Sequence, residues 1–347
     1  MKVLALLHQY VPVRNAGAET MVHAMLSALA RAGHEVHASL SMQTGEPYEH
    51  EGVQVWPRPE GAVKSQHLRH LPADVLVSHL DNCQAAAFLG YLNDIPVAVV
   101  QHNTFDNTID MPGLHGARVD LAVANSHWMD GHLARARAAR GVRQPRTIVV
   151  RPTVDRAAYA TEPGDRVTLV NLRMRSAGDV GRDALTKGGE VFWACARRMP
   201  NMKFLGVTGA YGEQAPGDLP NVELLDHVPN PAMRDLVYAR TRVLLMPSSY
   251  ESWGRVATEA TAAGIPVIAS PTPGLMENLG EAGIFVDPDD VDGYVRALRT
   301  LAMPGPYAAA RKRALARAAE HEAMQLEDEA RWVSEVERLA GRPVFAR

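Results

Sequence analysis

Short apolar runs alternate along the chain with polar loops and amphipathic stretches. Lys2 to Leu7 is an apolar run after its first residue and predicts a strand buried on both faces. A polar loop, His8 to Glu19, follows. From Glu19 to Ala32, Met21, Val22, Met25, Leu26 and Leu29 recur at helical spacing, and Gly33 ends that helix. Glu35 to Leu40 predicts the next strand. Further strands are predicted at Val53–Trp56, Val75–Ser78, Pro96–Val100, Asp120–Ala124 and Thr147–Val150. A helix covers Ala85–Leu92, and another begins near His127, where Ser126 or Asn125 can cap it.

The second half repeats the rhythm. Strands are predicted at Arg166–Asn171, Lys203–Val207, Val222–Leu224, Val243–Pro247, Ile265–Ala269 and Ile284–Asp287. Helices run from near Gly189 to Met199, from Pro231 to Ala239, and from Gly254 until Gly264 and Pro266 close the segment. Acids at Asp289 and Asp290 cap one that follows Pro288. Two long helices are expected at Pro306–Met324 and Glu327–Leu339. Strands alternating with helices predict an α/β chain with parallel sheets. At 347 residues the chain exceeds one ordinary core, and Glu162-Pro163-Gly164-Asp165 reads as a linker. Two Rossmann-like domains are therefore expected, 1–160 and 161–325.

Composition narrows the classes. Apolar residues make up 46% and charged residues 22%, with a net charge of −3 and the signs interspersed, so there is no nucleic-acid footprint. Cys83 and Cys195 match no metal-ligand or disulfide pattern, which fits a reducing cytoplasm. No run reaches the roughly 18 apolar residues of a membrane span. The opening residues lack the pattern of a secretion signal. The segment Arg58–Leu71 carries Arg58, Lys64, His67, Arg69 and His70 beside a thin apolar face of Val63, Leu68 and Leu71, which leaves peripheral membrane contact as a secondary reading. Basic residues are mostly Arg, as in a GC-rich bacterium.

Candidate chemistry lies in the loops that leave the strands, where open α/β sheets bind ligands. Glu251 lies in the loop Ser248–Gly254, and Glu259 in the helix that follows. The backbone N–H groups of Gly254, Arg255 and Val256 at that helix start favour an anion, and Glu259 can accept from vicinal hydroxyls. Lys187 is one of five lysines and stands beside Gly188 and Gly189 at a helix start. It offers a compact charge to phosphate, and Arg173 or Arg175 offers a planar fork. Gln101-His102-Asn103-Thr104 ends a buried strand and suggests a polar pocket. Ala16-Gly17-Ala18-Glu19 is not a dinucleotide fingerprint, but Gly17 permits close approach of a phosphate to a helix N-terminus. The acids at 287–290 lack a calcium-loop pattern, so no metal is expected.

Glu251 and Glu259 are separated by seven residues, with Gly254 between them and Ala-x-x-x-Gly-x-Pro-Val after. This resembles the E-x7-E signature of the retaining glycosyltransferases of family 4. The resemblance implies a GT-B fold, two Rossmann-like domains with parallel sheets facing across a cleft, and a last helix, 326–347, packing back on the first domain. It implies a nucleoside-diphosphate sugar as donor, a hydroxyl acceptor, retention at the anomeric carbon and no catalytic metal. By the same resemblance Glu251 and His102 touch the donor sugar, and Glu259 the ribose. Arg173 and Lys187 meet the diphosphate, and the backbone near His227 and Val228 holds the base. Arg151 and Asp155 become hinge or cleft residues. A sugar-nucleotide epimerase, a phosphorylase and a non-catalytic sugar-nucleotide binding protein remain as alternatives. The base, sugar, acceptor and oligomeric state leave no readable trace.

Overall fold

The computed structural model describes residues 1–14, 16–57, 68, 71–110, 119–174, 186–209, 214 and 217–341. Two compact units emerge, Met1–Thr153 with Met324–Arg347, and Val154–Ala323.

The first unit holds strands β1 (Lys2–Leu7), β2 (Glu35–Leu40), β3 (Tyr48–His50), β4 (Val53–Pro57), β5 (Val75–His79), β6 (Val97–Gln101), β7 (Leu121–Ala124) and β8 (Arg146–Val149). They form one sheet in the order β3-β4-β2-β1-β5-β6-β7-β8, parallel except for the β3–β4 pair. Its helices include α1 (Gly17–Arg31), α2 (Cys83–Asn93), α3 (Asp106–Asp110) and α4 (His127–Ala139). The period of two along β1 explains why helices cover both faces. Val3, Ala5 and Leu7 share a core with Met21, Val22, Leu26 and Leu29 of α1. Leu4 and Leu6 point the other way, into a core with Cys83, Ala86 and Leu89 of α2. Each such leucine contributes about 1.5–3 kcal/mol relative to leaving it exposed.

The second unit holds α5 (Arg156–Tyr159), β9 (Arg166–Val170), α6 (Gly189–Arg198), β10 (Lys203–Val207), β11 (Val222–Leu225), α7 (Met233–Leu236), β12 (Thr241–Met246), α8 (Arg255–Ala262), β13 (Val267–Ala269), α9 (Pro273–Leu279), β14 (Gly283–Phe285) and α10 (Val291–Ala302). Its sheet runs β11-β10-β9-β12-β13-β14 and is parallel throughout. Helix α11 (Pro304–Ala340) begins in this unit and ends in the first. There Trp332, Val336 and Leu339 join the core beside α1, and Trp332 Nε1 donates to the Met25 carbonyl at 2.9 Å. No described helix is long and apolar enough to cross a membrane.

Each sheet reverses its winding once. In the first, β2 and β5 leave β1 on opposite sides; in the second, β10 and β12 leave β9 on opposite sides. Ligands of such sheets sit beyond the carboxyl ends of the strands at these reversals. The loops after β1, β5, β9 and β12 are therefore the ones placed for chemistry.

Several expected elements differ in the structure. The two long helices are the single α11, because no Gly or Pro interrupts 307–340 and helix-favouring Ala, Arg and Glu fill it. The helix expected over Pro231–Ala239 breaks into short turns around α7, and Thr241 Oγ1 takes the Val237 carbonyl. Between β13 and β14, α9 is an element the pattern of apolar positions did not predict, and it is capped by Thr272 Oγ1 on the Leu275 N–H. Helix α1 starts at Gly17 rather than Glu19, and β3 and α3 are short elements that periodicity does not reveal. Ser126 caps α4 through the Met129 N–H at 3.1 Å.

Candidate active site

At the reversal in the second sheet, β9 ends and Asn171 turns the chain at φ +70°. Its Oδ1 accepts from the Arg173 N–H at 3.2 Å. The Arg173 carbonyl then accepts from three groups of the loop that starts α6: the Lys187 N–H at 3.0 Å, the Gly189 N–H at 3.3 Å and Thr186 Oγ1 at 3.0 Å. The loop after β12 joins them. Thr186 and Ser249 exchange bonds, from the Thr186 N–H to Ser249 Oγ at 3.0 Å and from the Ser249 N–H to the Thr186 carbonyl at 3.1 Å.

This stitching carries Lys187 to Glu251. Lys187 Nζ lies 2.6 Å from Glu251 Oε1, which also accepts from Ser248 Oγ at 3.0 Å. The lysine side chain is one-third exposed and the glutamate 12% exposed, so the lysine remains the accessible partner. Gly188 permits the approach: its φ is +82°, and a Cβ there would lie 2.7 Å from the Pro247 carbonyl oxygen. Of the Arg173 guanidinium, Nε is buried with no hydrogen-bond partner among the described residues. Arg175 lies outside the described residues, as do Arg58, Lys64, His67, Arg69 and His70.

Helix α8 starts at Gly254, a left-handed residue with φ +82° and no side-chain cap. Asn278, fully buried at the end of α9, fixes that turn instead. Its Nδ2 reaches the carbonyls of Trp253 at 3.0 Å and Gly254 at 3.2 Å, and Thr258 Oγ1 at 3.0 Å. Its own carbonyl accepts from Arg317 Nε at 2.6 Å and bonds to His321 Nε2 at 2.9 Å, so α11 braces α9. The first-turn N–H groups of α8 are thus held without a capping side chain, which suits an incoming anion.

Glu259 is placed differently from Glu251. It is 2% exposed, and its carboxylate is already occupied. Tyr238 Oη donates to Oε2 at 2.6 Å, Tyr159 Oη to Oε1 at 3.3 Å, and Arg255 Nη1 lies 2.9 Å from Oε1. Burial, and then the Glu259 charge, push both tyrosine pKa values well above the usual range, so both remain donors. Burial opposes the charge on Arg255, but Glu259 and the two tyrosines outweigh it and raise its pKa. Tyr159, Tyr238 and Asn278 were not legible as site residues. Each has its partner 20 or more positions away in sequence, so no local pattern marks it. His227 is exposed, whereas the Val228 side chain is buried in the core with Tyr238, leaving its backbone for any ligand contact.

In the first unit, three histidines stand at strand ends around the reversal: His8 after β1, His79 ending β5 and His102 after β6. His79 Nδ1 and His102 Nε2 are 3.3 Å apart, and His8 Nδ1 bonds Ser41 Oγ at 3.1 Å. Burial pushes the His102 pKa down to about 4. Burial, with His102 and His8 close by, holds His79 well below the usual range. Both imidazoles are neutral near pH 7. A cavity of about 210 Å³ opens beside His102, lined also by Leu80, Asp81, Gln101, Asn103 and Thr108. Arg137, buried in α4, supports the far wall by donating to the carbonyls of Thr108 at 3.0 Å and Ile109 at 3.1 Å. Gly17 begins α1 with no side-chain cap before it, and a Cβ there would meet nothing within 4 Å. Neither strain nor packing demands that glycine. Arg151 and Asp155 have structural partners. Arg151 pairs with buried Asp328 at 2.8 Å, and Asp155 caps α5 through the Ala157 N–H at 2.9 Å.

Residues 191–303 match the family model described as glycosyl transferases group 1. The matched segment lies within the second unit. The D-inositol 3-phosphate glycosyltransferase of Mycobacterium sp. (strain KMS) is 31% identical over 176 residues, 46% of this chain and 40% of that protein. The chain thus covers less than half the length of these curated relatives. Among solved structures, sucrose-phosphate synthase from Thermosynechococcus elongatus superposes with a TM-score of 0.72 at 16% identity, covering 97% of this chain and all of that one. Anabaena Alr3699/HepE in complex with UDP-glucose gives 0.71 at 18% identity, covering 96% and 100%. The fold is of the GT-B type; the matched segment contains Glu251 and Glu259, and Arg173 and Lys187 precede it.

Proposed function

We propose that the protein is a retaining glycosyltransferase that moves a sugar from a nucleoside-diphosphate sugar to a hydroxyl acceptor. The observation that carries this reading is the 2.6 Å contact of Lys187 Nζ with Glu251 Oε1 at the reversal of the second sheet. It brings a cation for phosphate and a carboxylate for sugar hydroxyls to one point.

The chemistry follows from charge. The departing nucleoside diphosphate gains negative charge as the glycosidic bond breaks, and fixed cations near the β-phosphate stabilise it. Lys187 and Arg173 supply them, together with the α8 N–H groups at Gly254 and Arg255. No metal is required for that electrostatic role. Glu251 orients the sugar ring. His102, neutral at working pH, exchanges hydrogen bonds with sugar hydroxyls and does not act as an acid. Glu259 receives the ribose. Three of its roughly four acceptor positions are taken, which leaves one on Oε2. Backbone at His227 and Val228 holds the base, and Gly17 lets a polar group approach the start of α1. The acceptor hydroxyl attacks on the face the phosphate leaves, and that phosphate takes the proton.

A thermal-shift screen over UDP-, GDP-, ADP- and dTDP-sugars tests the proposal, since a ligand of the native state raises apparent stability by mass action. One donor should stabilise the protein, and product NMR with that donor should show the anomeric configuration preserved. No stabilisation by any donor, or an inverted product, would overturn it. Turnover of the donor without acceptor to an epimer would reassign the site to epimerisation.

A further inference from the structure

The first unit holds a cluster that sugar transfer does not use. His23, in the second turn of α1, faces the β3–β4 turn, where His50 and Glu51 are adjacent. One ligand atom from each of the three lies within 4.8 Å of the others, and His23 Nε2 is 3.2 Å from Glu51 Oε2. We propose that His23, His50 and Glu51 bind a divalent transition-metal ion of the Zn2+ class. The ion would clamp the β3–β4 turn to α1.

The donor set decides the class of ion. Two imidazoles and one carboxylate suit Zn2+, Co2+ or Ni2+, whereas Mg2+ and Ca2+ favour all-oxygen sites. Tetrahedral bonds of about 2.1 Å place ligand atoms about 3.4 Å apart. The His23–Glu51 pair is already at that spacing. The His50 ring stacks at a tilt of 32° with its centroid 4.7 Å from that of His23, so a small rotation completes the set.

Two further features point the same way. His23 is held from behind: Tyr10 Oη is 2.8 Å from Nδ1, and Ser27 Oγ is 3.4 Å from it. That contact fixes the ring plane and aims Nε2 at Glu51, the arrangement by which outer groups orient metal-binding imidazoles. With an ion on Nε2, the ring keeps its proton on Nδ1 and donates it to Tyr10 Oη. The second feature is the backbone of Glu51. Its φ is +47°, a left-handed conformation that costs a glutamate about 1 kcal/mol or more. Gly, Asn or Asp would close such a hairpin more readily. Glutamate there is a poor turn residue but a good ligand.

The clamp would reach the loop after β1. Tyr10 lies in that loop, its N–H donates to Gln43 Oε1 at 3.0 Å, and the same loop leads to Gly17. Metal binding would therefore stiffen the segment that opens α1, without supplying chemistry to sugar transfer. The neighbouring charge of Arg31 is engaged by Glu329 at 2.7 Å.

The test uses the tag-free full chain, stripped with EDTA and dialysed. ZnCl2 should bind with one-to-one stoichiometry by calorimetry and raise the melting temperature, and MgCl2 should do neither. CoCl2 should give visible d–d bands of a four- or five-coordinate ion. His50→Ala and Glu51→Gln should each weaken Zn2+ binding about tenfold or more. Glu51→Gly separates the ligand from the fold: it should melt no lower than wild type without metal, and lose the Zn2+ response. Absence of stoichiometric binding at micromolar Zn2+, or wild-type affinity in both His50→Ala and Glu51→Gln, would overturn the proposal.

Discussion

The two sheets reverse in the same way but present opposite chemistry at the reversal. The edge of the first carries His8, His79 and His102, with the last two held neutral by burial. The edge of the second carries Lys187 against Glu251 and, deeper, Arg255 against Glu259. Topology alone therefore chooses the place for a ligand and leaves its charge open. Neutral imidazoles exchange hydrogen bonds with hydroxyls at low electrostatic cost. Fixed cations meet phosphate. The pairing in the second unit also keeps its charges stable while no ligand is bound, since an uncompensated buried charge is expensive.

Lys187→Ala is the strongest way to break that comparison. It should lower donor turnover about a hundredfold to a thousandfold, the usual loss for one group that stabilises developing charge. Stability should change by less than about 1 kcal/mol, because the ion pair is partly exposed. Turnover within a few-fold of wild type would remove the lysine from the diphosphate.

The buried pair should respond in stability as well as binding. Arg255→Ala leaves Glu259 without its cation and should cost about 3–5 kcal/mol in urea unfolding. Tyr238→Phe removes a short bond to the carboxylate and should cost about 1.5–3 kcal/mol. Tyr159→Phe, whose contact is longer at 3.3 Å, should cost less than Tyr238→Phe. A reversed order would show that Glu259 is held from the Tyr159 side.

The histidine edge should show itself through pH. The unfolded chain takes up a histidine proton near pH 6.5. Folded His102 does so only near pH 4. Between those values the unfolded state binds more protons, so stability rises with pH. The contribution is complete above about 6.5, is lost as pH falls through the window, and levels off below about 4. Urea midpoints across pH 4–7 should trace this slope, and His102→Asn should flatten it. An unchanged slope in the variant would place the titration elsewhere.

The two edges also differed in how far they could be read from the chain. In the second, the E-x7-E spacing, Gly254 and the lysine beside two glycines mark their loops directly, because a helix start and a backbone approach need particular residues at fixed offsets. In the first, His102 stood out, but His79 fell in the loop just past the predicted strand Val75–Ser78. Its contact with His102 depends on β5 and β6 being neighbours, which no local pattern encodes.

Long-range partners were hidden for the same reason. Asn278 carries no local signal, yet it holds the start of α8 and is itself held from α11. Tyr159 and Tyr238 read as core. The expectation of no metal was weighed on Asp287, Asp289 and Asp290, whereas His23, His50 and Glu51 meet only where α1 packs beside the β3–β4 turn.

Local chemistry in the sequence determined the alternation of strand and helix, the buried β1, β2 and β10, and the loops where charge is concentrated. These depend on side-chain period, on glycine at turns and on apolar runs, all of which act within a few residues. Tertiary structure alone decided which loops meet, that Lys187 finds Glu251 across 64 positions, and that Glu259 is enclosed by Tyr159, Tyr238 and Arg255. Those contacts follow from strand order and packing, which are collective properties of the folded chain.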